Sequence, residues 1–316
     1  MRLSTTVAVS LVLGVCLTGS AFAQGTGRSL DIQPGARQNG LGAAGVALAE
    51  DATGVTWWNP AALGFVKKSA VEITFAQLVP GLADDVTYNY ASFVKPVEGL
   101  GAFGLGLVFL NYGKSEGTDI NGNPTGIFSS YEVSPALHYG VQLLPDFSVG
   151  ASLKYIRIEL APETQSGVGS TFGVDLAAFY RVPAVKLNLG INVQNVGPSV
   201  TFLNEDQRSP LSRNLKAGAA WEAYGDDEFR VMVVGDFNQS LVTNEFYTWN
   251  GGVELRYTDQ IAGRVGYYHD PLGQINDLTY GLGVGWKGVS LDFASIPQAK
   301  DSDLPNVSKI TLGYRF

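Results

Sequence analysis

Four consecutive stretches of this chain alternate apolar and polar residues with a period of two, and that regularity restricts the fold more than any motif does. In the first, Tyr131, Val133, Pro135, Leu137, Tyr139 and Val141 share one face. Glu132, Ser134, Ala136, His138 and Gln142 share the other. Phe147 to Tyr155, Phe172 to Tyr180 and Val185 to Val193 repeat the pattern. A strand buried on one side reads this way, in a soluble sandwich or in a membrane barrel. Three features choose the barrel. The alternating stretches run to about ten residues, the length a tilted membrane strand needs, whereas globular strands usually have about 5–6. Aromatics recur on the apolar face at i and i+8: Tyr131/Tyr139, Phe147/Tyr155, Phe172/Tyr180, Phe229/Phe237 and Trp249/Tyr257. Eight residues at ~3.3 Å, tilted by ~40°, rise about 20 Å, close to the ~25 Å between two aromatic girdles. Finally, the chain ends on Phe316, with Tyr314, Leu312 and Ile310 on the same face. A terminal aromatic closing an alternating strand resembles the signal read by the barrel-assembly machinery of the outer membrane.

Composition agrees. Only 16% of residues are charged, against about 25% in soluble domains. The net charge of -8 argues against nucleic acid, whose phosphates call for a basic excess. The first 23 residues have the form of a secretory leader: Arg2, an apolar run from Val7 to Leu17, then Ala21-Phe22-Ala23. That run is too short to span a bilayer. Cys16 lies within the leader and follows Val15, where lipid attachment needs a small residue. The mature chain is therefore expected to lack cysteine, and with two histidines it offers poor material for a zinc site. No metal and no cofactor is expected.

Fourteen strands are expected: 69–78, 85–95, 101–112, 128–142, 147–159, 169–181, 184–196, 214–223, 228–238, 248–258, 260–269, 278–286, 289–295 and 307–316. Their connections alternate short and long, as periplasmic turns and external loops do. The shortest strand, 289–295, leaves twelve as an alternative count. A closed sheet of fourteen strands has a lumen too wide for its own side chains to fill. Residues 24–68 carry no period-two run and are the natural plug, followed by the barrel over 69–316. Within the plug, Asn59-Pro60-Ala61-Ala62-Leu63-Gly64 reads as a helical turn capped by Asn59, with Pro60 at its first position and Gly64 at its end. Trp57 and Trp58 are placed to wedge the plug against the wall.

Several segments carry a family resemblance: Gly35-Ala36-Arg37, Gly40-Leu41-Gly42-Ala43-Ala44, Ala49-Glu50-Asp51-Ala52, Trp58-Asn59-Pro60-Ala61-Ala62-Leu63, Val193-Gln194-Asn195-Val196-Gly197-Pro198 and Pro210-Leu211-Ser212-Arg213-Asn214-Leu215. Together they resemble the PorV/PorQ group of the FadL-like outer-membrane barrels. The resemblance implies an all-β, 14-stranded antiparallel transmembrane barrel with an N-terminal plug inside the lumen. It implies a place in the bacterial outer membrane among its lipids. It also implies one of two functions: type IX protein secretion, receiving secreted cargo proteins, or passage of hydrophobic small molecules through the plug and out sideways.

Motifs that would suggest chemistry are weak. Gly40-Leu41-Gly42-Ala43-Ala44-Gly45 matches a dinucleotide fingerprint but lacks the strand before it; its glycines are expected to let the plug backbone pack closely. Asp119-Ile120-Asn121-Gly122-Asn123 misplaces the glycine of a calcium loop, and Ser130 stands where a bidentate Glu is needed. His138 shares a strand face with Glu132, and His269 lies beside Asp270, yet no serine-hydrolase motif accompanies them. No enzymatic activity is expected. The charged lumen residues Glu132, Lys154, Asp175, Lys186, Arg230, Asp236, Glu254, Arg256 and Arg264 are expected to pair plug with wall. Two further sites are singled out. Pro135 lacks the N–H that a ladder needs and marks either a sideways opening or a tolerated kink. Phe202 and Leu203 sit in a long outer loop, as a partner surface or folded inward as a cap.

Overall fold

The structure, a computed structural model, describes residues 25–119, 121–161, 167–202, 208–242, 247–271, 273–300 and 302–316. The expected leader at 1–23, Gln24, Ile120 and Leu203 lie outside the described residues. Fourteen antiparallel strands close into one barrel. They are β1 (Ala70–Val79), β2 (Ala83–Val97), β3 (Gly101–Thr118), β4 (Pro124–Leu144), β5 (Phe147–Glu159), β6 (Val168–Val182), β7 (Leu187–Val196), β10 (Asn214–Gly225), β11 (Phe229–Ser240), β12 (Tyr247–Tyr257), β13 (Ile261–Asp270), β14 (Ile275–Trp286), β15 (Val289–Ile296) and β16 (Val307–Arg315). Two short strands, β8 (Val200–Thr201) and β9 (Arg208–Ser209), form a separate ribbon in the outer loop after β7. The barrel closes where Ala70 of β1 meets Arg315 of β16. The short strand β15 pairs on both sides, which excludes the twelve-strand count.

Three expectations shift. β7 starts at Leu187 rather than 184, because Pro183–Val185 forms a 3-10 turn and Lys186 takes a left-handed conformation. β14 starts at Ile275, before the expected 278. The stretch from Gly113 to Ile127 is largely not a loop: β3 and β4 continue through it as a paired hairpin, with Lys114 opposite Ser129 and Glu116 opposite Ile127. Beyond the membrane the apolar alternation stops, so the pattern that marks a lipid-facing strand gives no sign of this extension.

The expected girdles are in place. Phe109 meets Tyr131, Tyr155 meets Phe172, and Phe237 meets Tyr247 toward the outer end. Phe103 meets Tyr139, and Phe229 meets Tyr257 toward the periplasmic end. On the final strand, Ile310, Leu312 and Tyr314 all face outward. Phe316 stacks on Tyr314 and donates its N–H to Ser69 O at 2.9 Å, beside the closing seam. An exposed rim aromatic contributes at most a few kcal/mol through burial. Deleting Phe316 should therefore leave the finished barrel stable but sharply lower the amount inserted in cells, as measured by heat-modifiable mobility of outer-membrane fractions. Unchanged insertion would show that the residue is no assembly signal.

Candidate functional site

The lumen is occupied by the chain from 25 to 66, which has little regular structure, and Lys67 and Lys68 beyond it are exposed. A 3-10 turn at Arg28–Leu30, a one-turn helix at Ala36–Gly40, a π turn at Gly54–Trp58 and a 3-10 helix at Pro60–Phe65 are joined by extended chain. Buried irregular backbone leaves N–H and C=O groups that must be satisfied by something other than helix or sheet. The wall supplies the partners. Asp236 accepts the N–H of Gly45 at 2.6 Å and of Val46 at 2.9 Å. Glu72 accepts from Thr53, Thr311 from Ala36, Thr279 from Gly42 and Glu132 from Ser29, each at 2.8–2.9 Å. Asn192 donates to Trp58 O at 2.9 Å and Gln194 to Trp57 O at 2.8 Å. Polar side chains on the lumen face of six strands therefore serve the plug backbone.

The Asn59 turn forms as its sequence suggests. The Asn59 side chain accepts the Ala61 N–H at 3.1 Å, with Pro60 at the first position. Gly64 does not end it: the turn runs on to Phe65. A Cβ on Gly64 would fall 2.8 Å from the wall backbone at Gln142, so this glycine permits close approach instead. Trp57 and Trp58 are buried edge to face with centroids 4.9 Å apart, and Lys216 lies over both rings. The two later segments of the resemblance also hold the plug. Thr26 bridges in parallel to Leu211, and Asn195 donates to Ser212 O at 2.7 Å. Asp31 accepts from Asn214 at 2.9 Å and from Ser212. The plug thus begins at the outer end and descends to β1 at the periplasmic end.

Toward the periplasm, four arginines and four carboxylates interlock. Arg37 of the plug binds both oxygens of Glu254 at 2.9 Å and also reaches Glu50 and Asp51 at 2.8 and 3.1 Å. Arg230 and Arg256 reach Glu50 from the wall, and Arg264 joins Glu254 to Asp292. Burial alone would lower the pKa of Arg37, but Glu254, Glu50 and Asp51 hold it well above its ordinary value. Burial would raise that of Glu50, but Arg37, Arg230 and Arg256 bring it down to about 2. Because the folded value lies below the unfolded one, the contribution of Glu50 is complete at neutral pH and is lost as pH falls toward that value. Not every charged lumen residue joins plug to wall. Lys154 pairs with Asp175 at 2.8 Å within the wall, and Lys186 pairs with Glu222 at an exposed turn.

At the outer end, plug and wall leave a cavity of about 450 Å³. Its polar lining includes Arg28, Asp31, Gln33, Asn39, Lys216 and Lys309, and its apolar lining Ile32, Leu78, Leu110, Ile275, Ile296 and Val307. Lys309 is 5% exposed and donates to Gln33 O at 2.6 Å and Asn39 Oδ1 at 2.9 Å. Lys309 alternates with the lipid-facing Ile310, so its inward direction was legible, but its service to the cavity was not.

The remaining sequence candidates separate. His138 is buried with Nδ1 2.8 Å from Ser152 Oγ, while Glu132 instead binds Ser29 and Tyr112. His269 stacks on Trp249 and meets Asn276. Asp119 is occupied by the N–H groups of Asn121 and Asn123 in a hairpin turn. Phe202 is half-buried and packs on the cluster of Leu30, Ile156, Ile158, Val200 and Leu211, so it turns inward rather than outward. Pro135 lies on the lipid face opposite Leu107 of β3. Toward β5 the ladder omits Ser134 and Pro135, between Val133↔Arg157 and Ala136↔Lys154, without a change of register.

The family model for the type IX secretion system protein PorV matches residues 24–246. The chain belongs to the PorV family. It is a type IX secretion-associated barrel of the bacterial outer membrane. No curated protein sequence matches it. Among solved structures it is similar to the Ralstonia pickettii toluene transporter TbuX, at 15% identity and a TM-score of 0.60, covering 89% of this chain and 97% of that one. It is also similar to the Pseudomonas putida toluene transporter TodX, at 15% identity and a TM-score of 0.55, covering 94% and 99%. A Pseudomonas aeruginosa FadL homologue aligns at 13% identity and a TM-score of 0.52, covering 89% and 98%. At these identities the likeness is one of fold, a FadL-like barrel. The PorV family is one of secretion and transport rather than a class of enzyme.

Proposed function

We propose that this PorV-family barrel receives exported proteins at its outer face, with the outer cavity and its rim as the contact surface. The observation that carries this reading is the cavity lining. Charged and amide side chains stand beside the apolar ones, with a buried ammonium among them. Small-molecule sites for hydrocarbons are mostly apolar, and a hydrocarbon seated here would strip water from polar groups without replacing its hydrogen bonds. A polypeptide segment supplies such bonds along its whole length. The test is equilibrium binding of the purified barrel to a labelled C-terminal signal domain from a protein exported by the same cells, with toluene and dodecanoate as competitors. Saturable binding that the small molecules do not displace is expected. Saturable binding of the small molecules alone would reverse the assignment.

A second reading, sideways passage of a hydrophobic small molecule, draws on a separate observation: the ladder gap at Ser134 and Pro135. Behind it lie Ile156 and Ile158, packed on Leu30 of the plug. Pro135→Val restores an N–H to the ladder and should reduce uptake of a fluorescent fatty acid by cells if the gap is a gate. Undiminished uptake would leave Pro135 a tolerated kink.

A further inference from the structure

The outer hairpin of β3 and β4 stands free of its neighbours. Pairing of β2 with β3 ends at Thr87↔Asn111, and pairing of β4 with β5 ends at Tyr131↔Glu159. Beyond those points β3 and β4 pair only with each other, as far as Thr118↔Pro124. From Tyr131 to the tip the hairpin rises roughly 20 Å past the outer girdle. It has two outer edges, and they differ.

The β3 edge is guarded in the ways natural sheets guard edges, by a bulge and by charge. Gly113 takes a φ of 85° where the register shifts between Asn111 and Lys114. Lys114 and Glu116 stand exposed along it, and Asp85 of β2 takes the Lys114 N–H at 3.1 Å. The β4 edge bulges only at its tip, where Thr125 is skipped between Gly117↔Gly126 and Thr118↔Pro124 and Gly126 takes a φ of 128°; from Gly126 to Ser129 its register is unbroken and no charge guards it. Thr125-Gly126-Ile127-Phe128-Ser129-Ser130 carries no charge and no proline. Its Ile127 is 69% exposed. Among the described residues no strand pairs with this edge, and the contact near its base is Ser130 Oγ donating to Leu160 O.

We infer that this β4 edge, Gly126 to Ser130, is a docking strand that takes an extended segment of an exported protein as one more antiparallel strand. The inference rests on the reading of the barrel as a receiver of exported proteins and names where and how one is held. In such β-augmentation the affinity comes from main-chain bonds, so one edge can serve cargoes of unlike sequence. A second copy of this chain is a poor occupant. Inserted in the same membrane, it carries its β4 in the same direction, so the two edges meet only in parallel, the weaker arrangement. A protein outside the membrane is free to approach antiparallel.

The test uses the full-length barrel in nanodiscs and the labelled signal domain described above. Successive residues of a strand direct their N–H groups to opposite sides, so of Ile127→Pro and Phe128→Pro one removes a donor from the free edge and the other disturbs the hairpin. Hydrogen exchange of the unliganded hairpin tells which is which. The free-edge variant should keep hairpin protection and weaken binding at least tenfold, while Ser115→Lys on the guarded edge should change it less than twofold. Binding should also slow exchange at alternate amides between Gly126 and Ser130. Wild-type affinity in both proline variants, or a barrel dimer formed through this edge, overturns the inference while leaving the receiver reading intact. Failure of the signal domain to bind the wild-type barrel overturns both.

Discussion

Gly266→Val should unseat the plug while leaving the barrel closed. Gly266 of β13 faces the lumen where the plug chain passes at Leu41 and Gly42. A Cβ there would lie 2.0 Å from Gly42 N and 2.2 Å from Leu41 C. Both neighbours are backbone, so no side chain can swing aside. Gly42 itself has a φ of 77°, and a Cβ on it would fall 2.4 Å from Tyr267 O and 2.6 Å from Gly251 O, so the plug backbone is wedged here on both sides. Overpacking a tight core typically costs about 1–3 kcal/mol, and more where the backbone is fixed. The fourteen-strand ladder does not depend on this contact, so heat-modifiable mobility should persist. Trypsin should then cut after Arg37, which is 5% exposed in the seated plug. Continued protection of Arg37 would show that plug and wall separate more easily than this contact implies.

Arg37→Met should loosen the plug from its periplasmic end. The substitution leaves Glu50, Asp51 and Glu254 facing one another across a partly dry space with one fewer cation. Removing one partner of a buried ion pair costs about 3–5 kcal/mol, because the other partner stays buried and charged. Arg230, Arg256 and Arg264 still hold the carboxylates in part, which favours the low end of that range. Ion conductance across planar bilayers should rise at neutral pH. In the variant Glu50 loses the Arg37 charge that helps hold its carboxyl low, so mild acid should protonate it and lower the conductance again. The wild type, with Glu50 held to about 2, should show no such recovery over the same range. Conductance equal to wild type at neutral pH would mean that the network does not hold the plug.

The barrel was legible because its physics is repetitive. Tyr131 to Val141 needs a lipid face and a lumen face, and each later strand repeats the demand with the same spacing. The plug was legible mainly as what the wall leaves unfilled, and its one local signal was the Asn59-Pro60 turn. The contacts that seat it were not legible. Asp236, Asn192 and Gln194 look like ordinary inward polar positions, and only their approach to the N–H or C=O groups of Val46, Trp58 and Trp57 gives them meaning. The inward turn of Phe202 was equally hidden, because an apolar residue in an outer loop reads the same whether it faces water or caps a core. The outer hairpin was missed for the opposite reason: it is a strand pair without a lipid face.

The plug borrows its hydrogen bonds from the wall, and this sets an order of events. Residues 25–69 bond to one another mainly in single turns, such as Leu30 to Gly27 and Leu48 to Gly45, and isolated turns of that length do not hold in water. Three of their partners, Lys309, Thr311 and Arg315, lie on the last strand. Yet the earliest described residues sit at the outer end beside Leu211 and Ser212, although the chain arrives from the periplasm. The leading segment must therefore be drawn through the growing sheet before its seam shuts. Closure of the seam and completion of the plug become a single cooperative step, and a barrel stalled before β16 joins should hold its first residues open to protease.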